Sequence, residues 1–213
     1  MVARPKIAVL DYGMGNRRSV EKALDRAGAR AVITRDHGEI EAADGLVVPG
    51  VGAFPQAMRN LRELELDAAI ASRLADAVPV LGICLGMQLL FEASSENQGA
   101  WGLGLLQGRV DRLVAPNLKV PHIGWTPVTW RKRTALNEGL PDQCPFYIVH
   151  SLAAIPTSPE DVLGTALYGN AFVAAVEHEN LYGVQFHPEK SSTHGIKLLE
   201  NFTAICAAVG AEA

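Results

Sequence analysis

Cys84 lies in the run Val80-Leu81-Gly82-Ile83-Cys84-Leu85-Gly86-Met87-Gln88-Leu89-Leu90, flanked two residues away on each side by glycine. A strand-like apolar segment leads into it and a helix-like apolar segment leads out. Glycines at these positions let the backbone turn tightly from strand to helix, which lifts the sulfur clear of a sheet. The positive end of the following helix favours the thiolate, the reactive form of cysteine. A buried structural cysteine is the plainer reading of a lone Cys among apolar residues. The glycines, and the polar Gln88 one helical turn on, favour a nucleophile instead.

A thiol nucleophile needs a base and a group that orients the base. The chain has six histidines: His37, His122, His150, His178, His187 and His194. Only His187 belongs to a compact polar unit at the end of an apolar strand, Val184-Gln185-Phe186-His187-Pro188-Glu189. In extended backbone, residues two apart project to one side, so Glu189 can sit beside His187. Pro188 stiffens the pair by fixing φ. A carboxylate against an imidazole sets its tautomer and raises its basicity. Without Cys84, the same unit reads equally well as a strand-end histidine with a solvated glutamate.

Acyl chemistry also needs donors for a developing oxyanion. Val48-Pro49-Gly50-Val51-Gly52-Ala53-Phe54 follows a buried strand, and its glycines let backbone N–H groups approach a ligand. The Val51–Gly52 backbone with the Leu85 amide could form such a hole. Taken alone, the segment is also compatible with a plain turn.

The elements that must position these groups alternate. Strands are expected at Lys6 to Leu10, Ala31 to Thr34, Leu46 to Val48 and Val80 to Ile83. Helical spacing covers Ser19 to Ala27, Met58 to Ala77 and Met87 to Ala93. That alternation predicts an α/β fold: three layers, with a mostly parallel, doubly wound central sheet and helices on both faces. From Gly108 to Phe186 short strand-like pieces (Ile123 to Trp130, Phe146 to His150, Phe172 to Val176, Tyr182 to Phe186) predict antiparallel additions to the sheet in the C-terminal half. Gly195 to Val209 reads as an amphipathic helix. No repeat or linker interrupts the chain, so one domain is expected over 1–213.

Composition narrows the function. At 213 residues the chain can bury roughly 70% of its extended surface. A net charge of −4, with Arg131-Lys132-Arg133 the only basic cluster, argues against nucleic acid as a partner. Three cysteines without paired spacing fit a reducing compartment. The N-terminus lacks a signal-peptide layout and no apolar run approaches ~20 residues, so no membrane contact and a cytoplasmic location are expected. No metal or other cofactor is expected. His178-Glu179-Asn180 lacks a second histidine, and Cys144 and Cys206 read as incidental thiols. Gly13-Met14-Gly15 has Arg18 where a dinucleotide fingerprint wants a third glycine.

Gly82-Ile83-Cys84-Leu85-Gly86-Met87-Gln88 together with His187-Pro188-Glu189 resembles the class I (triad) glutamine amidotransferases, over nearly the whole chain. Within that family, Asp11-Tyr12-Gly13-Met14-Gly15-Asn16, Pro49-Gly50-Val51-Gly52-Ala53-Phe54, Pro121-His122-Ile123-Gly124-Trp125 and His187-Pro188-Glu189-Lys190-Ser191 look like the glutaminase subunits of imidazole glycerol phosphate synthase. The resemblance implies a Cys84-His187-Glu189 triad that hydrolyses glutamine. It implies an oxyanion hole from Val51, Gly52 and Leu85, with Gln88, Glu96, Ser151 and Leu152 binding glutamine. It also implies a (β/α)8 barrel cyclase subunit as partner, docked on Asn16, Pro121, His122, Gly124, Trp125 and Lys190, and a ligand-driven switch at the Val51–Gly52 peptide. Arg17 stands where relatives often have leucine, and Leu152 where a tyrosine is common. The alternatives are a glutaminase subunit of another synthase, of anthranilate type, or a catalytically silent partner module.

Overall fold

The structure, a computed structural model, describes residues 4–210. Strands β1 (Lys6–Leu10), β2 (Arg30–Thr34), β3 (Gly45–Gly50) and β4 (Val80–Cys84) alternate with helices α1 (Arg17–Arg26), α2 (His37–Glu41), α3 (Phe54–Glu63) and α4 (Leu66–Ala75). After β4 come α5 (Leu85–Leu89), β5 (Phe91–Ser94), β6 (Ala100–Trp101), β7 (Leu106–Arg112), β8 (His122–Trp130), β9 (Gln143–His150) and β10 (Leu152–Pro156). Strands β11 (Val162–Tyr168), β12 (Asn170–His178) and β13 (Leu181–Val184) and helix α6 (Ser192–Gly210) complete the order.

The central sheet has nine strands in the order β2-β1-β3-β4-β13-β12-β11-β8-β9. Pairing is parallel from β2 through β13 and antiparallel from β13 to β9. Strand parity explains the three layers. Ile7, Val9 and Val47 join a core with Val20 and Leu24 of α1 and Leu198 and Phe202 of α6. Ala8, Leu10, Leu46 and Val48 face the opposite way, into a core with Phe54, Leu61 and Ile70 of α3 and α4. Strands buried on both faces need the near-continuous apolar runs seen in the sequence.

Two expectations are corrected. The helix expected over Met58 to Ala77 is two helices, α3 and α4, broken where Glu65 takes a left-handed φ of 55°. The helix expected from Met87 to Ala93 is the five-residue α5, already over at Leu89, after which Phe91–Ser94 is strand. The pieces expected after Gly108 (β8, β9, β12 and β13) all join the central sheet, whereas β10, β7, β5 and β6, which sequence reading did not single out, form a second, four-stranded sheet. A short helix that sequence reading missed, α2, starts at Asp36, whose carboxylate accepts the Glu39 N–H at 2.9 Å.

What matters for the site is the middle of the large sheet. Gly50 pairs with Cys84, and Val184 of β13 pairs with Ile83 of β4. The carboxyl ends of β3, β4 and β13 are therefore adjacent, at the edge where open α/β sheets hold their ligands.

Candidate active site

Cys84 ends β4 and precedes α5 with φ 56° and ψ −111°, a backbone state that costs a side-chained residue about 1–3 kcal/mol. The turn is enforced by contact. A Cβ on Gly86 would lie 1.7 Å from the Val48 carbonyl oxygen, and one on Gly82 would lie 2.7 Å from Gly86 backbone atoms. The first turn of α5 thus presses directly onto β3 and β4, and Cys84 is pushed out above the strand ends. Five residues are too few for a strong helix dipole, so the expected contribution of α5 to the thiolate shrinks. Local groups have to supply it.

Those groups are present. His187 Nδ1 and Glu189 Oε1 are 2.9 Å apart, with side-chain exposures of 5% and 1%. Because Nδ1 is held by the carboxylate, Nε2 is the nitrogen left for the sulfur. Burial pulls the His187 pKa down, but hydrogen bonding and charge from Cys84 and Glu189 outweigh it and raise it to about 9. The imidazole thus keeps its extra proton at neutral pH, as a group that must protonate a departing amine requires. The Cys84 thiol also donates to the Val149 carbonyl at 3.7 Å and accepts from the Gln185 side-chain amide at 3.7 Å.

Cys84 and His187 border a cleft of about 300 Å³, the small end of ligand-pocket sizes and suited to a single amino acid. Cys84 and His187 line it together with Val51, Gly52, Leu85, Gln88, Glu96, Ser151 and Leu152. Every residue expected to touch glutamine therefore meets in one place, with Glu189 behind His187. Glu96 has one oxygen engaged, accepting the Phe54 N–H at 2.6 Å at the start of α3. The Ser151 carbonyl accepts from the Leu113 N–H, and that of Leu152 from His150 and Gln88, so a substrate carboxylate would not meet these oxygens. Val51 is 44% exposed at the cleft, and Gly52 holds φ 111°. A larger hollow of about 620 Å³ between α2 and α4 is lined by Glu41, Glu65, Asp67 and Asp76 but brings no nucleophile to a base.

Of the expected docking residues, Asn16, Pro121 and Trp125 are exposed, Trp125 by 53%, and Lys190 and Pro121 also line the cleft. His122 is the exception. On β8 it has the opposite parity to Ile123 and Trp125, so its ring points inward, 3% exposed, bonded to His150 and Thr126. Gly124 shares the inner parity and is half-buried. The Arg17 guanidinium pairs with Asp11. Leu152 contributes its carbonyl, while its side chain packs against the core around α3 to α5.

Sequence reading missed three residues at the site. The Tyr12 hydroxyl donates to the Pro49 carbonyl at 2.5 Å and so anchors the glycine-rich segment. His150 lines the cleft and holds the Leu152 carbonyl. Gln185 reaches the sulfur, and the same two-residue rule that pairs His187 with Glu189 puts Gln185 on their side. Among the described residues, no group of three or more His, Cys, Asp or Glu side chains is placed to hold a metal ion, and no helix is long and apolar enough to cross a membrane.

Comparison with known proteins shows the family. A protein of Moorella thermoacetica named imidazole glycerol phosphate synthase subunit HisH is 52% identical over 92% of this chain and 93% of its own. The like-named protein of Aquifex aeolicus is 46% identical over 92% and 95%. Among solved structures, PurLQS from Thermotoga maritima superposes with a TM-score of 0.76 at 18% identity, over 95% of this chain and 99% of that one, a likeness of fold. The family model described as glutamine amidotransferase class-I matches residues 8–206. With a cysteine at a strained strand end and a carboxylate-bound histidine beside it, the chain belongs to the class-I glutamine amidotransferases.

Proposed function

We propose that this protein is the glutaminase subunit of an imidazole glycerol phosphate synthase, acting in histidine biosynthesis. It hydrolyses glutamine to glutamate and ammonia and delivers the ammonia to a (β/α)8 barrel cyclase, which makes imidazole glycerol phosphate and an aminoimidazole carboxamide ribonucleotide. One observation carries the chemistry: Cys84 and His187, far apart in sequence, border one amino-acid-sized cleft, with Glu189 bonded to His187 from behind. The similarity to the HisH proteins supports the choice of synthase. Residues 4–210 act as one domain.

The Cys84 thiolate, its proton already held by the His187 imidazolium, attacks the side-chain amide carbon of glutamine. The Leu85 and Val51–Gly52 N–H groups hold the developing oxyanion, each such donor lowering the barrier by about 3 kcal/mol. His187 protonates the departing ammonia, leaving a glutamyl thioester, and then takes a proton from the water that hydrolyses it. Gln88, Glu96 and the Ser151–Leu152 segment hold the substrate, Glu96 by opposite charge to the α-ammonium. A Glu189→Gln substitution is expected to lower kcat by on the order of 10⁴-fold by releasing the imidazole from its tautomer. It also removes one of the groups that raise His187 to about 9, so the alkaline limb of the kcat–pH profile should move to lower pH. Steady-state kinetics across pH 6–10 checks both.

Ammonia released into water is protonated and lost as a nucleophile, so the cleft needs a covering partner. Trp125 and Ile123, exposed beside Pro121 at the cleft edge, suit an interface anchor. Glutamate release should rise when the cyclase subunit and its ribonucleotide ligand are added; high activity unchanged by both would mean a stand-alone amidase. Trp125→Ala should weaken docking by about 2 kcal/mol, roughly 30-fold in Kd by calorimetry, without changing the fold.

A further inference from the structure

The sulfur of Cys84 lies against a fully buried amide, that of Gln185, which no step of the hydrolysis above uses. The orientation of that amide is dictated from a distance. The Leu152 carbonyl accepts from His150 Nδ1 at 2.8 Å and from Gln88 Nε2 at 3.2 Å. A carbonyl cannot donate, so the amino end of Gln88 must face it. The second Gln88 N–H then donates to Gln185 Oε1 at 2.9 Å, and this leaves Gln185 Nε2 as the group facing Sγ, 3.7 Å away. Turning the Gln185 amide over would set two amino groups against each other and a carbonyl oxygen against sulfur lone pairs.

The other side of the Leu152 carbonyl is fixed in the same manner. His150 donates through Nδ1, so its Nε2 accepts from His122 Nδ1 at 3.1 Å, and His122 Nε2 accepts from the Thr126 hydroxyl at 2.8 Å. Burial holds both imidazoles below the ordinary histidine value, His150 to about 4, so this order of donors survives at neutral pH. Every polar hydrogen between β8 and the sulfur has one direction. The short α5 cannot do the same work through its dipole.

We propose that Gln185 is a positioning residue for the nucleophile. Its amide, locked by Gln88 and the Leu152 carbonyl, donates to Sγ of Cys84, favours thiolate over thiol, and holds the sulfur at the cleft floor. The proposal rests on Cys84 being the nucleophile but not on which synthase the chain serves. Other titratable groups around the sulfur are His187 with Glu189 behind it, the buried Tyr12, and, across the cleft, Glu96, His150 and Lys190.

The test is the pH dependence of Cys84 alkylation by iodoacetamide in the intact chain, read by peptide mass spectrometry so that the buried Cys144 and Cys206 are scored apart. The rate reports thiolate content and needs no glutamine, so it stands even if turnover fails. Gln185→Leu should shift the midpoint to higher pH and slow alkylation about 5- to 10-fold at pH 7, one pH unit of midpoint being tenfold, with an unchanged plateau at high pH. Gln185→Asn, which keeps an amide but draws it back from the sulfur, should behave alike. With the cyclase present, kcat for glutamine should fall by a similar factor while KM stays within about twofold. A wild-type profile in either folded variant, or a rate reduced equally at every pH, overturns the proposal.

Discussion

Cys84→Ala is expected to lower glutamine hydrolysis by on the order of 10⁴-fold or more while leaving the fold intact. Loss of a covalent nucleophile removes a whole reaction route, and what persists comes from binding and oxyanion contacts alone. The structural cost is small, because alanine keeps the Cβ that the turn already accommodates. Two measurements check this: glutamate release with the cyclase subunit present, and labelling by a glutamine-mimicking chloroketone. Wild-type protein should be labelled at Cys84, and the variant not at all. Labelling at Cys144 or Cys206 would overturn the site, though their exposures of 2% and 0% put both out of reach of such a reagent.

Gly86→Ala is expected to be the most damaging single-methyl change in the chain. The added Cβ would stand 1.7 Å from the Val48 oxygen and 2.8 Å from its carbonyl carbon. Both are backbone atoms of a central strand, so no side-chain rotation relieves the overlap, and α5 must lift from β3. Overpacking of ordinary cores costs about 1–3 kcal/mol, and this rigid case should reach about 4 kcal/mol, a large part of a typical total stability. Gly28→Ala is the comparison. At that position φ is 94° but nothing lies within 4 Å of the new carbon, so only backbone strain of about 1 kcal/mol is added. Denaturant midpoints of the two variants should differ accordingly, and similar midpoints would show that α5 is free to move away.

The residues proposed for catalysis were legible because each rests on a local rule. Glycines around Cys84 announce the turn, and residues two apart in extended backbone share a side, which joins His187 to Glu189. The same rule, carried one step back, reaches Gln185. Applied to β8 it separates inward His122 from outward Trp125, two residues that the motif alone had grouped on one surface. What was not legible depended on non-local packing. The apolar run after Cys84 is short enough to serve as helix or strand, and contact with the second sheet, not periodicity, makes Phe91–Ser94 a strand. The break between α3 and α4 carries neither glycine nor proline; Glu65 adopts its left-handed state with no compositional warning. Strands of four and two residues, such as β5 and β6, are too brief to show alternation.

The parallel pairing of β4 with β13 gives the protein a built-in order of events during synthesis. Gln185 lies 101 positions beyond Cys84, and His187 and Glu189 follow it. A growing polypeptide on the ribosome therefore displays an ordinary thiol for as long as those residues remain unmade. On the proposed roles of Cys84, Gln185 and His187, reactivity toward glutamine arises only once β13 has paired with β4, a long-range contact that forms slowly.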